Sequence, residues 1–125
     1  MAGDLKKIFV ADDDPDILDI LRMMLKTRGY AVEVSSNANE LFEYRQEELP
    51  DLILLDIWMS GLDGRDICVK LKENDNTKNI PVLFISANSN IHTITKEYHA
   101  DGYIAKPFDM NAFLNTVRET LEPVK

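Results

Sequence analysis

The sequence has little cysteine, no basic cluster and no long apolar run, and each shortage removes a class of protein. Cys68 is the single cysteine among 125 residues, which excludes an intramolecular disulfide framework and cannot by itself build a zinc site. The nearest approach to a basic run is the pair Lys6-Lys7, and 22 acidic residues against 14 basic ones give a net charge of −8. A field of that sign argues against a domain that binds nucleic acid through overall charge. No uninterrupted apolar run exceeds the four residues of Leu52–Leu55, whereas a membrane helix needs roughly 20. The N-terminus also lacks a signal-peptide pattern, so a cytoplasmic location without a membrane partner is expected. What remains is 45% hydrophobic and 29% charged, the balance of an ordinary globular protein of one domain's length, expected to run over 1–125 with no effector domain.

Apolar periodicity divides the chain into alternating units. Ile8-Phe9-Val10-Ala11 is a short apolar run that stops at acid, after which Ile17, Leu18, Leu21, Met24 and Leu25 recur at helical spacing. Asp14-Pro15 supplies an N-cap and a first-turn proline, and Gly29 a stop. Val32 and Val34 predict a second strand. Asn37 with Glu40 has the form of a capping box, and Leu41, Phe42 and Leu49 predict a second helix ending before Pro50. Leu52–Leu55 is too uniformly apolar for a half-exposed strand and reads as a central one, closed by Asp56. Asp63 and Asp66 open a third helix with Ile67, Cys68 and Leu71 facing inward. Val82–Ile85 is a fourth strand stopping at Ser86, and residues 89–99 form a weaker fourth helix. Gly102–Ala105 is the last strand, and Asp109 caps a fifth helix in which Phe108 staples onto Phe113.

Five strands alternating with five helices predict a single α/β domain with the doubly wound, flavodoxin-like (βα)5 architecture: a parallel five-stranded sheet in the order 2-1-3-4-5, helices on both faces. In that order the sheet reverses between strands 1 and 3, and ligands bind beyond the strand C-termini at such a point. Those ends carry Asp12-Asp13 and Asp56. Two carboxylates about 4 Å apart repel by on the order of 4 kcal/mol at an effective dielectric near 20, so the cluster calls for a cation. Magnesium suits it, because that ion takes one or two carboxylates, keeps waters and shares its other positions with phosphate oxygens. An EF-hand reading of Asp12, Asp14 and Asp16 fails, because Ile17 stands at the glycine position and Met23 at the terminal glutamate. Lys106, past the last strand, and Ser86, past the fourth, approach the same edge. Two metal-binding acids, a carboxylate nucleophile, a lysine and a hydroxyl are what phosphoryl transfer onto an aspartate requires.

The order of motifs, Phe9-Val10-Ala11-Asp12-Asp13-Asp14-Pro15, Leu54-Leu55-Asp56-Ile57-Trp58-Met59-Ser60-Gly61-Leu62-Asp63-Gly64, Phe84-Ile85-Ser86-Ala87 and Gly102-Tyr103-Ile104-Ala105-Lys106-Pro107-Phe108, closely resembles the receiver domain of two-component response regulators, of the chemotaxis-regulator kind. The resemblance spans essentially the whole chain. It implies that Asp56 is the phosphoacceptor, Asp13 a direct magnesium ligand, Asp12 an acid acting mainly through bound water, and the backbone carbonyl of Trp58 a further ligand, with manganese able to substitute. It further implies that Ser86 binds the phosphoryl group, Lys106 pairs with it, Tyr103 is an aromatic switch and the Lys106-Pro107 bond is cis. A partner surface on the fourth helix, fifth strand and fifth helix would include His92, Lys96, Tyr103 and Arg118. The donor would be a sensor histidine kinase or histidine phosphotransfer protein, the output an unknown downstream protein, and the assembly a monomer or weak phosphorylation-dependent dimer. Ser60 stands where the family usually has proline, and Trp58 is bulky for its position; Asn88 occupies the other variable site of this kind.

Plainer roles are expected elsewhere. Asp14, Asp63 and Asp109 read as helix caps, Cys68 as a small core residue, and His92 and His99, about 10.5 Å apart along a helix, as surface residues. Tyr103 also has a plain packing reading. The expected function is a phosphorylation-activated switch, not a dedicated turnover enzyme. Its rivals are a magnesium-dependent phosphohydrolase using an aspartyl intermediate and a receiver-like module that binds partners without phosphorylation.

Overall fold

The computed structural model describes residues 5–59 and 61–122. Five parallel strands, β1 (Lys7–Ala11), β2 (Ala31–Ser35), β3 (Leu52–Asp56), β4 (Val82–Ser86) and β5 (Gly102–Ala105), form one sheet in the order β2-β1-β3-β4-β5. The expected doubly wound topology is the observed one. β3 and β4 are buried along their whole length, as their unbroken apolar runs require of strands covered on both faces. Register aligns Val10 with Leu54, Leu54 with Leu83 and Asp56 with Ile85.

Among the described residues, four α-helices cover the sheet: α1 (Pro15–Thr27), α2 (Gly64–Glu73), α3 (Ile91–Glu97) and α4 (Met110–Leu121). The pleat sends alternate strand residues to opposite faces. Ile8, Val10, Leu52, Leu54, Leu83 and Ile85 pack with Leu21 and Leu25 of α1 and Phe113 and Val117 of α4. Phe9, Ala11, Ile53, Leu55 and Phe84 pack with Ile67, Cys68 and Leu71 of α2 and Ile91 and Ile94 of α3. Asp14, Asp63 and Asp109 all cap helices, accepting from the N–H groups of Asp16, Arg65 and Ala112. Phe108 stacks on Phe113 with ring centroids 5.3 Å apart, the expected staple. Cys68 is buried in the core, and His92 and His99 are exposed.

The second helix is a correction. Residues 37–49 fold as two short 3-10 segments, Ala38–Glu43 and Gln46–Glu48. Asn37 accepts from the Asn39 N–H through its side chain and from Glu40 through its carbonyl. The segment breaks at Tyr44 and Arg45, both extended (φ −74°, ψ 142° and φ −69°, ψ 155°). That break lets the Tyr44 ring meet Phe9 edge-on, centroids 6.1 Å apart, while its hydroxyl donates to Glu33 at 3.1 Å. Two long-range contacts thus outweigh a locally compatible helix. Because of this change the expected fifth helix is α4. The fourth is also shorter than expected, ending before His99, whose φ of 61° is left-handed.

Candidate functional site

The C-terminal ends of β1 and β3 lie side by side, so the residues that terminate them meet. Among the described residues, carboxylate oxygens of Asp12, Asp13 and Asp56 all fall within 4.8 Å of one another. Asp12 is fully buried, Asp56 nearly so and Asp13 exposed. The Asp12 N–H donates to the Ser35 carbonyl, so the end of β1 stays in the ladder, and Asp12 Oδ1 accepts from the Asp14 N–H at 3.0 Å. One acid is therefore fixed from two sides before any ligand arrives.

Lys106, immediately after β5, reaches across to this cluster. Its Nζ lies 3.1 Å from Asp12 Oδ2 and 3.8 Å from Asp56 Oδ2. Its own backbone N–H donates to the Ser86 carbonyl at 2.9 Å, which ties the lysine to the end of β4. The Lys106-Pro107 peptide bond is cis. Ser86 is buried, and its Oγ accepts from the Asn88 N–H at 3.0 Å. The site thus draws on β1, β3, β4 and the residue after β5.

Burial pushes the Asp56 carboxyl up to about 6 and the charge of Asp12 adds to that rise, while Lys106 and a backbone hydrogen bond from Trp58 oppose it. A three-carboxylate, all-oxygen donor set with one buried, one nearly buried and one open member suits a hard divalent cation that keeps part of its water. It does not suit soft or nitrogen-seeking metals.

The other expected residues fall into two groups. Trp58 borders the site, its backbone bonded to Asp56 and the residue 56% exposed. Tyr103 lies farther off on β5, half-buried, and meets the exposed His92 of α3 edge-on with centroids 6.0 Å apart. Lys96 on α3 and Arg118 on α4 are exposed, and Arg118 donates to Asn115 of its own helix. Ser60 lies outside the described residues.

Three features of the site escaped sequence reasoning. Trp58–Met59 and Leu62–Asp63 pair as a small antiparallel ladder directly after the cluster. Gly64 packs so closely on β3 that a Cβ there would collide with the Asp56 carbonyl oxygen. Arg65 forks the Asp63 carboxylate and lies over the Trp58 ring. A glycine directly after a capping aspartate was the available signal for the second; nothing local signals the third.

A family model described as the response regulator receiver domain matches residues 8–118. The chain belongs to that family. The DNA-binding dual master transcriptional regulator RpaA of Synechocystis sp. is 33% identical to this receiver domain over 119 residues, covering 94% of the chain and 49% of RpaA. The chain therefore spans about half the length of that relative. The receiver domain of a signal transduction histidine kinase from Syntrophus aciditrophicus is 28% identical with a TM-score of 0.84, covering 96% of this chain and 92% of that one. Response regulator TrrA of Thermotoga maritima, solved in complex with Mg(2+)-BeF, is 26% identical with a TM-score of 0.82, covering 94% of this chain and 100% of that one. Among the described residues no helix is long and apolar enough to cross a membrane.

Proposed function

We propose that this receiver domain is a phosphorylation-activated switch that accepts a phosphoryl group on Asp56 from a phosphohistidine of a sensor kinase or phosphotransfer protein. The observation that carries this reading is the meeting of Asp12, Asp13 and Asp56 with Lys106 Nζ 3.8 Å from Asp56. An Asp56 carboxylate oxygen attacks phosphorus, the P–O bond forms, the P–N bond to the donor imidazole breaks, and that imidazole leaves with a proton. Attack of water on phosphorus later breaks the same P–O bond and releases inorganic phosphate. The domain promotes both steps on itself and is not a turnover enzyme.

Asp13 and Asp56 would hold magnesium directly, Asp12 through water, and the Trp58 carbonyl would complete the protein's share, with manganese an acceptable substitute. When bound, the metal neutralises charge that gathers around the transferring group. Lys106 would exchange its place at Asp56 for a phosphoryl oxygen as a compact point charge. The Asn88 N–H uses Ser86 Oγ as an acceptor, so the serine hydroxyl hydrogen is available to a phosphoryl oxygen. These new contacts favour one arrangement of α3, β5 and α4, with Tyr103 changing position and His92, Lys96 and Arg118 on the partner-facing side. The domain would work in the cytoplasm, as a monomer or a weak phosphorylation-dependent dimer.

Incubation with magnesium and a small acyl phosphate should add one phosphoryl mass, and Asp56→Asn should abolish the gain. Steady hydrolysis of an external phosphate ester would instead indicate a phosphohydrolase. No gain under conditions that preserve acyl phosphates would leave a phosphorylation-independent binding module.

A further inference from the structure

Arg65, at the start of α2, touches both members of one residue pair beside the site. Trp58 and Asp63 are Cα partners in the small ladder. The Arg65 guanidinium forks the Asp63 carboxylate, with Nε 3.0 Å from Oδ1 and Nη2 2.7 Å from Oδ2, and its centre lies 4.6 Å from the Trp58 ring centroid. The same group lies 5.7 Å from the ring of Tyr98, which caps the C-terminus of α3. A planar, delocalised cation can hold a carboxylate in its plane and an aromatic ring on its face at once, which an ammonium cannot.

The clasped strand matters because of what else it carries. The Trp58 backbone donates to the Asp56 carboxylate, and the Gly64 N–H, beside Asp63 at the same open end of the ladder, donates to the Ile57 carbonyl at 2.7 Å. Gly61, with φ 72°, forms part of the turn between the paired strands. Trp58 is mostly exposed, so little packing from the core restrains its side chain; the arginine supplies the restraint.

We infer that Arg65 is a positioning residue of the phosphorylation site: by clasping Trp58 to Asp63 it holds the Trp58 main chain in register with Asp56, where its carbonyl would serve a divalent cation. The inference rests on the proposed function, since it assigns Arg65 a task at that same site. Its contact with Tyr98 links this clasp to the end of α3.

The test uses magnesium alone, then a small acyl phosphate. Trp58 is the sole tryptophan, so its emission reports the stack directly. Arg65→Ala should shift that emission and weaken magnesium binding, measured by calorimetry, by roughly three- to tenfold, the range expected from losing one cation–π contact and one bidentate pair. Phosphoryl uptake should slow by a similar factor at low magnesium and recover at saturating magnesium. Arg65→Lys, which keeps the charge without the plane, should restore less than half of the lost affinity. In a Trp58→Ala background Arg65→Ala should change magnesium affinity by less than twofold, because the partner is already gone. An unchanged emission spectrum, or magnesium affinities within twofold for wild type and Arg65→Ala, would overturn the inference. Failure of the wild-type domain to take up phosphoryl at any magnesium concentration would instead remove the proposed function, while the emission and calorimetry arms would still decide whether Arg65 positions the cation site.

Discussion

Lys106 Nζ is closer to the buried Asp12 than to Asp56, 3.1 Å against 3.8 Å. The lysine therefore serves two acids, and its stronger engagement is with Asp12, not with Asp56, the proposed phosphoacceptor. Asp12 and Asp56 are both largely buried, and a buried carboxylate without a cation is costly. Lys106→Met should destabilise the metal-free domain by roughly 1–3 kcal/mol, less than a fully enclosed ion pair because the ammonium keeps some contact with water. Magnesium should recover part of that loss by supplying charge at the same place. Urea unfolding with and without magnesium checks both statements; equal stability of variant and wild type without metal would contradict them.

The Asp56 carboxyl, raised to about 6 by burial and by Asp12, makes stability depend on pH. Between its ordinary value near 3.8 and about 6 the folded domain keeps a proton that the unfolded chain has lost. That proton favours folding at low pH, and the advantage disappears as pH rises through about 6. The difference in thermal midpoint between wild type and Asp56→Asn should therefore widen from pH 4.5 to 7.5, with the asparagine variant the more stable at neutral pH in the absence of metal. Taking the difference removes the contributions of carboxylates remote from Asp56. A difference that stays flat across this range would show that Asp56 titrates as an ordinary surface acid.

Gly64→Ala separates close packing from chemistry. The new Cβ would meet the Asp56 carbonyl oxygen, the Ile57 Cα at 2.9 Å and the Asp56 carbonyl carbon at 3.0 Å. All three are backbone atoms of β3 or its continuation, and none can rotate away as a side chain would. The substitution should cost about 2 kcal/mol or more and displace α2 from the sheet. A loss below about 0.5 kcal/mol in urea unfolding would mean that the helix start shifts freely.

The sheet was legible because its central strands are extreme. Leu52–Leu55 and Val82–Ile85 contain no polar interruption, and each ends on a residue of different chemistry, Asp56 or Ser86, so the strand ends and the site were marked by the same letters. The caps were legible for a local reason: Asp14, Asp63 and Asp109 each bond an N–H two or three residues ahead. Residues 37–49 were not, because Tyr44 is used on Phe9 and Glu33, partners that periodicity within the segment cannot register. Arg65 fails for the same reason. In the sequence it is one more cation on a helix surface, and its partners Trp58 and Tyr98 come from different elements.

Ser86 offers the sharpest separation between receiving a phosphoryl group and responding to it. The residue is buried, and its Oγ accepts from the Asn88 N–H at 3.0 Å. Ser86→Ala leaves that N–H without its acceptor, at a cost of about 1 kcal/mol. The variant retains Asp12, Asp13, Asp56 and Lys106, so it should still gain one phosphoryl mass. It should not move Tyr103, because the hydroxyl proposed to report the new group is missing, and a group that binds both arrangements equally shifts neither. The register sets Ser86 opposite Ala105 and Phe84 opposite Tyr103, two residues apart on β5. Ser86→Thr keeps the hydroxyl and should preserve the response. Amide and ring resonances of His92 and Tyr103, recorded before and after addition of magnesium and acyl phosphate, decide the matter. Shifts of wild-type size in phosphorylated Ser86→Ala would show that the signal reaches β5 by another route.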